Sequence, residues 1–303
     1  MSRHAGVIAE MVGNLVPGPG VLSGRATTTV GLIGRGIQAS LTPRMHEREG
    51  ARLGIPYFYV LIDFDLLGLS DDALESVVTE ARTIGFAGLN VTYPFKQAII
   101  DHLDHLDADA EAIGAVNTVV FSAAGTEGHN TDCWGFGESF RERMDDVSLR
   151  RVVQFGAGGA GAAVAHALME LGAGSLSIID SDRGRASRLA ESMRRRFANR
   201  VHAETDVEAT LALADGIVNT TPVGMAKHPG VPFPTDLLEP RHWVAEVVYF
   251  PQETELLRHA RALGCRTLPG AGMAIYQAVR AFELFTGKTP DRRAMAGFFE
   301  TAA

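Results

Sequence analysis

The sequence predicts an α/β fold in two domains, each built on a mostly parallel sheet with helices on its faces. Three observations carry this. Short β-rich runs alternate with capped amphipathic helices from residue 28 onward. A glycine-rich turn joins an apolar run to a helical one at residues 156–161. The 303 residues suffice for two cores of ordinary size.

The elements follow in order. "TTVGLIG" (28–34) is a strand, broken by Gly34 and Gly36. "TPRMHEREGARLG" is a helix with Thr42 as N-cap, Pro43 in the first turn and Gly54 beyond the last. "YFYVLID" is the second strand, and "SDDALESVVTEARTIG" a helix running from Ser70 to Gly85. "FAGLNVT" is the third strand, "KQAIIDHL" is helical, and "AVNTVVFS" with "GTEGHNT" forms a hairpin. "DCWGFGESFRERM" opens a long helix. A second series begins at "RRVVQFGAGGAGAAVAHALMELG" and continues through "LSIID", the helix "RASRLAESMRRRFA", "GIVNTT", "WVAEVVY", the helix "TELLRHARALG" and "CRTLPG". Two helical segments, "GMAIYQAVRAFELFTG" and "DRRAMAGFFETAA", close the chain. The expected divisions are an N-terminal extension over 1–28, a domain of 29–131 plus 271–303, and a domain of 132–270.

Composition narrows the function. The net charge of −8 argues against nucleic-acid binding by counterion release, and the run Arg194–Arg196 reads as a solvated helix face. No apolar run reaches the ~20 residues of a membrane helix, and Glu10 interrupts the only candidate for a signal peptide. The two cysteines, Cys133 and Cys265, have no metal-ligand spacing and read as reduced thiols in the cytoplasm. No metal is expected. A homodimer is allowed by the sequence and not required by it.

"VVQFGAGGAG" has the pattern G-x-G-x-x-G between a strand and a helix, which is the context the pattern needs. Gly156 makes the tight turn, Gly158 lets the backbone approach a pyrophosphate, and Gly161 allows close helix–sheet packing. Ala157, Gly159 and Ala160 complete the cradle at the helix N-terminus. An acid is expected about 20 residues on, at the end of the next strand. Asp180 stands 180 − 156 = 24 residues beyond Gly156. A carboxylate there accepts from an unphosphorylated ribose and repels a 2′-phosphate, so NAD is favoured over NADP. Arg183 and Arg185 follow closely, and would hold a phosphate if the loop turned them inward.

Four polar clusters sit at strand ends: Ser40 and Thr42, then Asn90, Thr92 and Lys96, then Asn117, then Asn130, Thr131 and Asp132. In an open parallel sheet this edge binds ligands. Hydroxyls, amides, one ammonium and one carboxylate suit a polyhydroxylated small molecule. Taken singly, each has an ordinary alternative as a cap, a turn residue or a solvated lysine.

"SLTP", "NVTYPFK", "GAVNT", "GHNTD", "GAGGAG", "NTTPVGM" and "GMAIYQA", in this order over residues 30–290, resemble the shikimate dehydrogenase family. The likeness is closest to its NAD-dependent quinate/shikimate branch, on "SLTP", Asp180 and "VVYFPQETELL". The resemblance implies a substrate-binding α/β domain and a Rossmann NAD(P) domain, with the C-terminal helices packing back on the first. It implies that Lys96 and Asp132 are the catalytic pair. Ser40 and Thr42 would bind the substrate carboxylate; Asn90, Thr92, Asn117, Tyr249 and Gln277 would face the rest of the substrate. Arg185, Asn219, Thr220, Val247 and Gly270 would lie by the cofactor. The implied reaction interconverts shikimate and 3-dehydroshikimate, and quinate and 3-dehydroquinate. Lys96 and Asp132 would titrate as a coupled pair, and which accepts the proton stays open. Two other readings share these residues: a paralogue acting on a modified, for example amino-substituted, acid, and a silent metabolite sensor. The second is disfavoured because Lys96 and Asp132 are both present.

Overall fold

The computed structural model describes residues 27–302 together with Gly6. The extension expected over 1–28 therefore lies outside the described residues, apart from Gly6, Thr27 and Thr28. Two compact units are formed: the chain up to Thr131 with Ala278–Ala302, and Asp132–Gln277.

The first unit is a six-stranded sheet of β1 (Thr28–Gly34), β2 (Tyr57–Asp63), β3 (Gly88–Val91), β4 (His105–Leu106), β5 (Thr118–Ser122) and β6 (Gly125–His129), in the order β2-β1-β3-β5-β6-β4. β1 pairs parallel with β2 and β3, and β5 is antiparallel to both β3 and β6. β1 carries apolar residues on both sides, as a central strand covered on two faces requires. Helices α1 (Thr42–Arg52), α2 (Leu74–Thr83) and α3 (Ala108–Ile113) belong to this unit. One face buries Ile33, Ile62, Phe64, Val77, Leu89 and Phe95. The other buries Val30, Leu32, Tyr57 and Tyr59 against Ala281, Phe282 and Phe285, from the second half of a C-terminal helix.

Two local expectations are corrected. Leu41, not Thr42, caps α1, and Thr42 is its first residue, with its N–H 3.4 Å from Ser40 Oγ. Residues 96–103 form no α-helix: turns around Lys96 lead into a 3₁₀ segment, Ala98–His102. The Phe95 ring is fully buried there, and the Lys96 carbonyl accepts from Val116 N at 2.7 Å, so tertiary ties replace the helical ladder.

The second unit holds α4 (131–143, its first residue in the first unit), β7 (Arg151–Phe155), α5 (Gly159–Glu170), β8 (Ser175–Ile179), α6 (Arg183–Phe197), β9 (Val201–Ala203), α7 (Val207–Ala212), β10 (Gly216–Asn219), β11 (Trp243–Glu246), α8 (Glu255–Ala262) and β12 (Arg266–Leu268). α9 (Ala271–Thr286) starts in this unit and ends in the first, where α10 (Arg292–Ala302) also lies. The sheet is wholly parallel, in the order β12-β11-β10-β7-β8-β9. Numbered within the unit this is 3-2-1-4-5-6 read from β9, the doubly wound Rossmann arrangement, whose switch point lies between β7 and β10. α5 is rich in alanine and glycine and buried from Gly161 to Met169, so it lies close on the sheet. Among the described residues no helix is long and apolar enough to cross a membrane.

Candidate active site

Each unit is described by itself. In the first, the C-terminal ends of β1, β3 and β6 and the start of antiparallel β5 lie along one edge of the sheet, and every predicted cluster of this unit is there. Asn117, which leads into β5, is buried, and its Oδ1 accepts the Thr131 N–H at 2.7 Å and the Thr131 hydroxyl at 3.1 Å. Asn90, at the end of β3, accepts from the buried Tyr59 hydroxyl at 2.7 Å. Its amide donates to Thr118 Oγ1 at 2.9 Å and to the Asn117 carbonyl at 3.3 Å. Both polar ends of Asn90 are thus engaged within the sheet, which makes it a clamp between β2, β3 and β5. Asn130 donates from Nδ2 to the Ala115 carbonyl at 2.8 Å. Thr92 follows β3, its N–H bonded to the Ile33 carbonyl at 2.9 Å, and Lys96 is half-buried four residues on.

The loop bearing Ser40 and Thr42 is organised by a residue that sequence reasoning missed. Asp63, buried at the end of β2, accepts from Gly36 N at 3.0 Å, Ile37 N at 3.1 Å, Gln38 Nε2 at 3.0 Å and Asp65 N at 3.1 Å. Burial alone would raise its carboxyl; these donors outweigh that and hold it below the usual carboxylate range. Gly36 has φ +64°, the left-handed conformation that glycine adopts without cost.

In the second unit, the glycine-rich turn lies at the switch point. Gly156 has φ +103°, and a Cβ there would stand 2.6 Å from Thr220 Oγ1. A Cβ on Gly161 would stand 2.5 Å from the Gly156 carbonyl oxygen. A Cβ on Gly158 would meet nothing within 4 Å, so that glycine faces open space. α5 has no side-chain cap at its N-terminus. A turn closed on two sides and open at its middle glycine, ahead of an uncapped helix, fits a dinucleotide pyrophosphate. Asp180 follows β8, accepting Ala157 N–H on Oδ2 at 2.8 Å and Asp182 N–H on Oδ1 at 2.8 Å. Arg185 pairs through Nε with Asp182 Oδ2 at 3.3 Å. Buried Thr220 lies 2.8 Å from the Phe155 carbonyl and 2.9 Å from that of Gly156, clasping β10 to the turn. Gln154, also missed from sequence, donates to the carbonyls of Gly156 at 2.8 Å and Gly161 at 2.9 Å.

At the same edge, the Val247 N–H meets the Asn219 carbonyl at 3.0 Å, and a Cβ on Gly270 would stand 2.6 Å from the Val247 carbonyl. Tyr249 is 41% exposed; the partial loss of water around its phenol raises it above its ordinary range, and the Asp132 carboxylate adds to this. Gln277 donates to the Ala274 carbonyl within α9 at 3.0 Å. Among the described residues no group of three or more His, Cys, Asp or Glu side chains could hold a metal.

The fold and turn define a Rossmann-type dinucleotide-binding protein. Residues 32–119 match the shikimate dehydrogenase substrate binding domain, and residues 270–296 the shikimate 5′-dehydrogenase C-terminal domain. The chain is 56% identical over 269 residues to a shikimate dehydrogenase (NADP(+)) of Streptomyces avermitilis, covering 88% of this chain and 92% of the relative. It is 47% identical over 274 residues to a quinate/shikimate dehydrogenase (NAD(+)) of Corynebacterium efficiens, covering 89% and 96%. The solved quinate dehydrogenase from Corynebacterium glutamicum in complex with NAD superposes with a TM-score of 0.85 at 46% identity, over 91% of this chain and 99% of that one. The chain belongs to the shikimate dehydrogenase family.

Proposed function

We propose that this chain is an NAD-dependent dehydrogenase of shikimate and quinate, oxidising a ring secondary alcohol to the ketone. The observation that carries this reading is the gathering of Ser40, Thr42, Thr92, Lys96 and Asn117 along one sheet edge of the first unit. Relatives with the printed activity support the substrate class. Bound NAD would supply the hydride acceptor. The chain's own residues do the rest. The Ser40 and Thr42 hydroxyls bind the ring carboxylate, and Thr92, Asn117 and Gln277 orient ring hydroxyls. Lys96 and Asp132 hold the reacting hydroxyl and take its proton as the C–O bond becomes C=O. Such positioned proton transfer contributes typically 10²–10⁴-fold.

Asp180 supports NAD. Its carboxylate sits at the glycine-rich turn, bonded to Ala157, where a 2′-phosphate would meet negative charge. Arg185 is engaged by Asp182. Relatives of both cofactor types occur, so the choice is tested directly. Cys133 and Cys265, which form no disulfide, support a reducing compartment, the cytoplasm.

The deciding experiment is initial rates with shikimate and quinate, each against NAD and NADP. Turnover of both acids, faster with NAD, is expected. Inactivity with all four pairs would overturn the proposal, and faster turnover with NADP would overturn its cofactor half.

A further inference from the structure

Glu246 ends β11 and is 1% exposed, yet its carboxylate contacts no cation among the described residues. All its donors are neutral. Oε1 accepts from Asn219 Nδ2 at 2.9 Å and from the backbone N–H groups of Val247 and Val248, each at 3.1 Å. Oε2 accepts from Asn219 Nδ2 at 3.1 Å and from the Thr254 hydroxyl at 3.2 Å. These donors come from three segments: the end of β10, the turn leaving β11, and the N-cap of α8, where Thr254 accepts from Leu257 N at 3.3 Å.

Burying an acid without a cation is costly, and burial raises Glu246 to about 7 despite its donors. A side chain kept at that cost has a geometric task. Only a carboxylate offers enough acceptor sites to gather donors from three segments at one point. An apolar residue would fill the space but leave the Val248 N–H unheld and the Val247 N–H with the Asn219 carbonyl alone. One residue beyond those N–H groups stands Tyr249.

We propose that Glu246 is a positioning residue: by gripping Val247 and Val248 it fixes the direction in which the chain leaves β11 and so sets the placement of Tyr249. The inference rests on the proposed function, with Tyr249 facing the substrate as the resemblance implies.

The test is a double-mutant cycle on the full chain, using Glu246→Gln, Tyr249→Phe and the double variant. In Glu246→Gln the amide nitrogen replaces an oxygen that faces Asn219 Nδ2, so one contact becomes donor against donor and the turn shifts. If Glu246 acts through Tyr249, Glu246→Gln lowers kcat/KM for shikimate about five- to fiftyfold, and the double variant lies within about twofold of the weaker single one. A purely structural role predicts losses that multiply, and that result would overturn the inference. So would a Glu246→Gln enzyme indistinguishable from wild type. Should that variant not fold, Thr254→Val removes one of the carboxylate's donors and leaves Glu246 in place. It is expected to show the same non-additivity with Tyr249→Phe at smaller size, and additive losses would again overturn the inference. An inactive wild type would instead defeat the functional reading on which this one stands.

Discussion

Asn117 Oδ1 accepts the backbone N–H of Thr131 at 2.7 Å, tying the entrance of β5 to the first residue of α4. Asp132 is the next residue, so this bond fixes where the helix that carries it begins. Asn117→Ala would leave a buried N–H unpaired, at a cost of about 1–3 kcal/mol. Urea denaturation should show that loss, and kcat/KM for shikimate should fall with it. Unchanged stability would mean that another acceptor takes the Thr131 N–H.

Lys96 shares the proton-handling role with Asp132 in the proposed reaction. Lys96→Ala should lower kcat by about 10²-fold or more while KM changes less, as when an interaction specific to the transition state is removed. Steady-state kinetics with shikimate and NAD decide this, and a kcat near that of the wild type would end the assignment.

Asp180 bonds both to Ala157 of the glycine-rich turn and to Asp182 at the start of α6. Asp180→Ala removes the charge that discriminates against a 2′-phosphate. The ratio of kcat/KM with NAD to that with NADP should fall about tenfold or more. A ratio that does not move would place the discrimination elsewhere.

Two buried titratable groups bend the stability profile in opposite directions. His46 is caged by Tyr57, Tyr59 and Phe282, with Nδ1 2.9 Å from the Tyr57 hydroxyl. Burial lowers it from 6.5 to about 3. Between those values the unfolded chain binds a proton that the folded chain does not, so stability falls as pH drops below 6.5. Glu246, raised by burial from 4.5 to about 7, does the reverse: the folded chain takes the proton first, and stability rises as pH drops through that range. Each slope is at most about 1.4 kcal/mol per pH unit. His46→Gln should therefore gain stability relative to wild type between pH 6.5 and 4.5, and Glu246→Gln should lose it. Urea denaturation across the window reads both, and two slopes of the same sign would contradict the assignment.

Much of this architecture is legible in the residues. The G-x-G-x-x-G turn reads locally because its three glycines act on neighbours a few positions away, and the strands of both sheets are apolar enough to stand out. β4, β9 and α7 are too short to show a period. Lys96–Leu103 looks helical because its apolar spacing is set by burial of Phe95 and Ile99 under a 3₁₀ segment. Asp63 and Glu246 are harder still, since an acid at a strand end reads as a solvated terminus. Their meaning comes from donors up to 27 positions away. Tyr59 reads only as a core aromatic until its hydroxyl is seen on Asn90.

The first unit takes its chain from both ends of the sequence, and Phe282 and Phe285 complete one of its two cores. A ribosome making this protein delivers Val30, Leu32 and Tyr57 long before their partners. At ~5–20 residues per second, the stretch from Thr131 to Ala278 takes roughly 7–30 s. The middle segment can mature while the earlier sheet waits with one greasy side bare, which makes the nascent chain a natural client for chaperones until its last helices emerge.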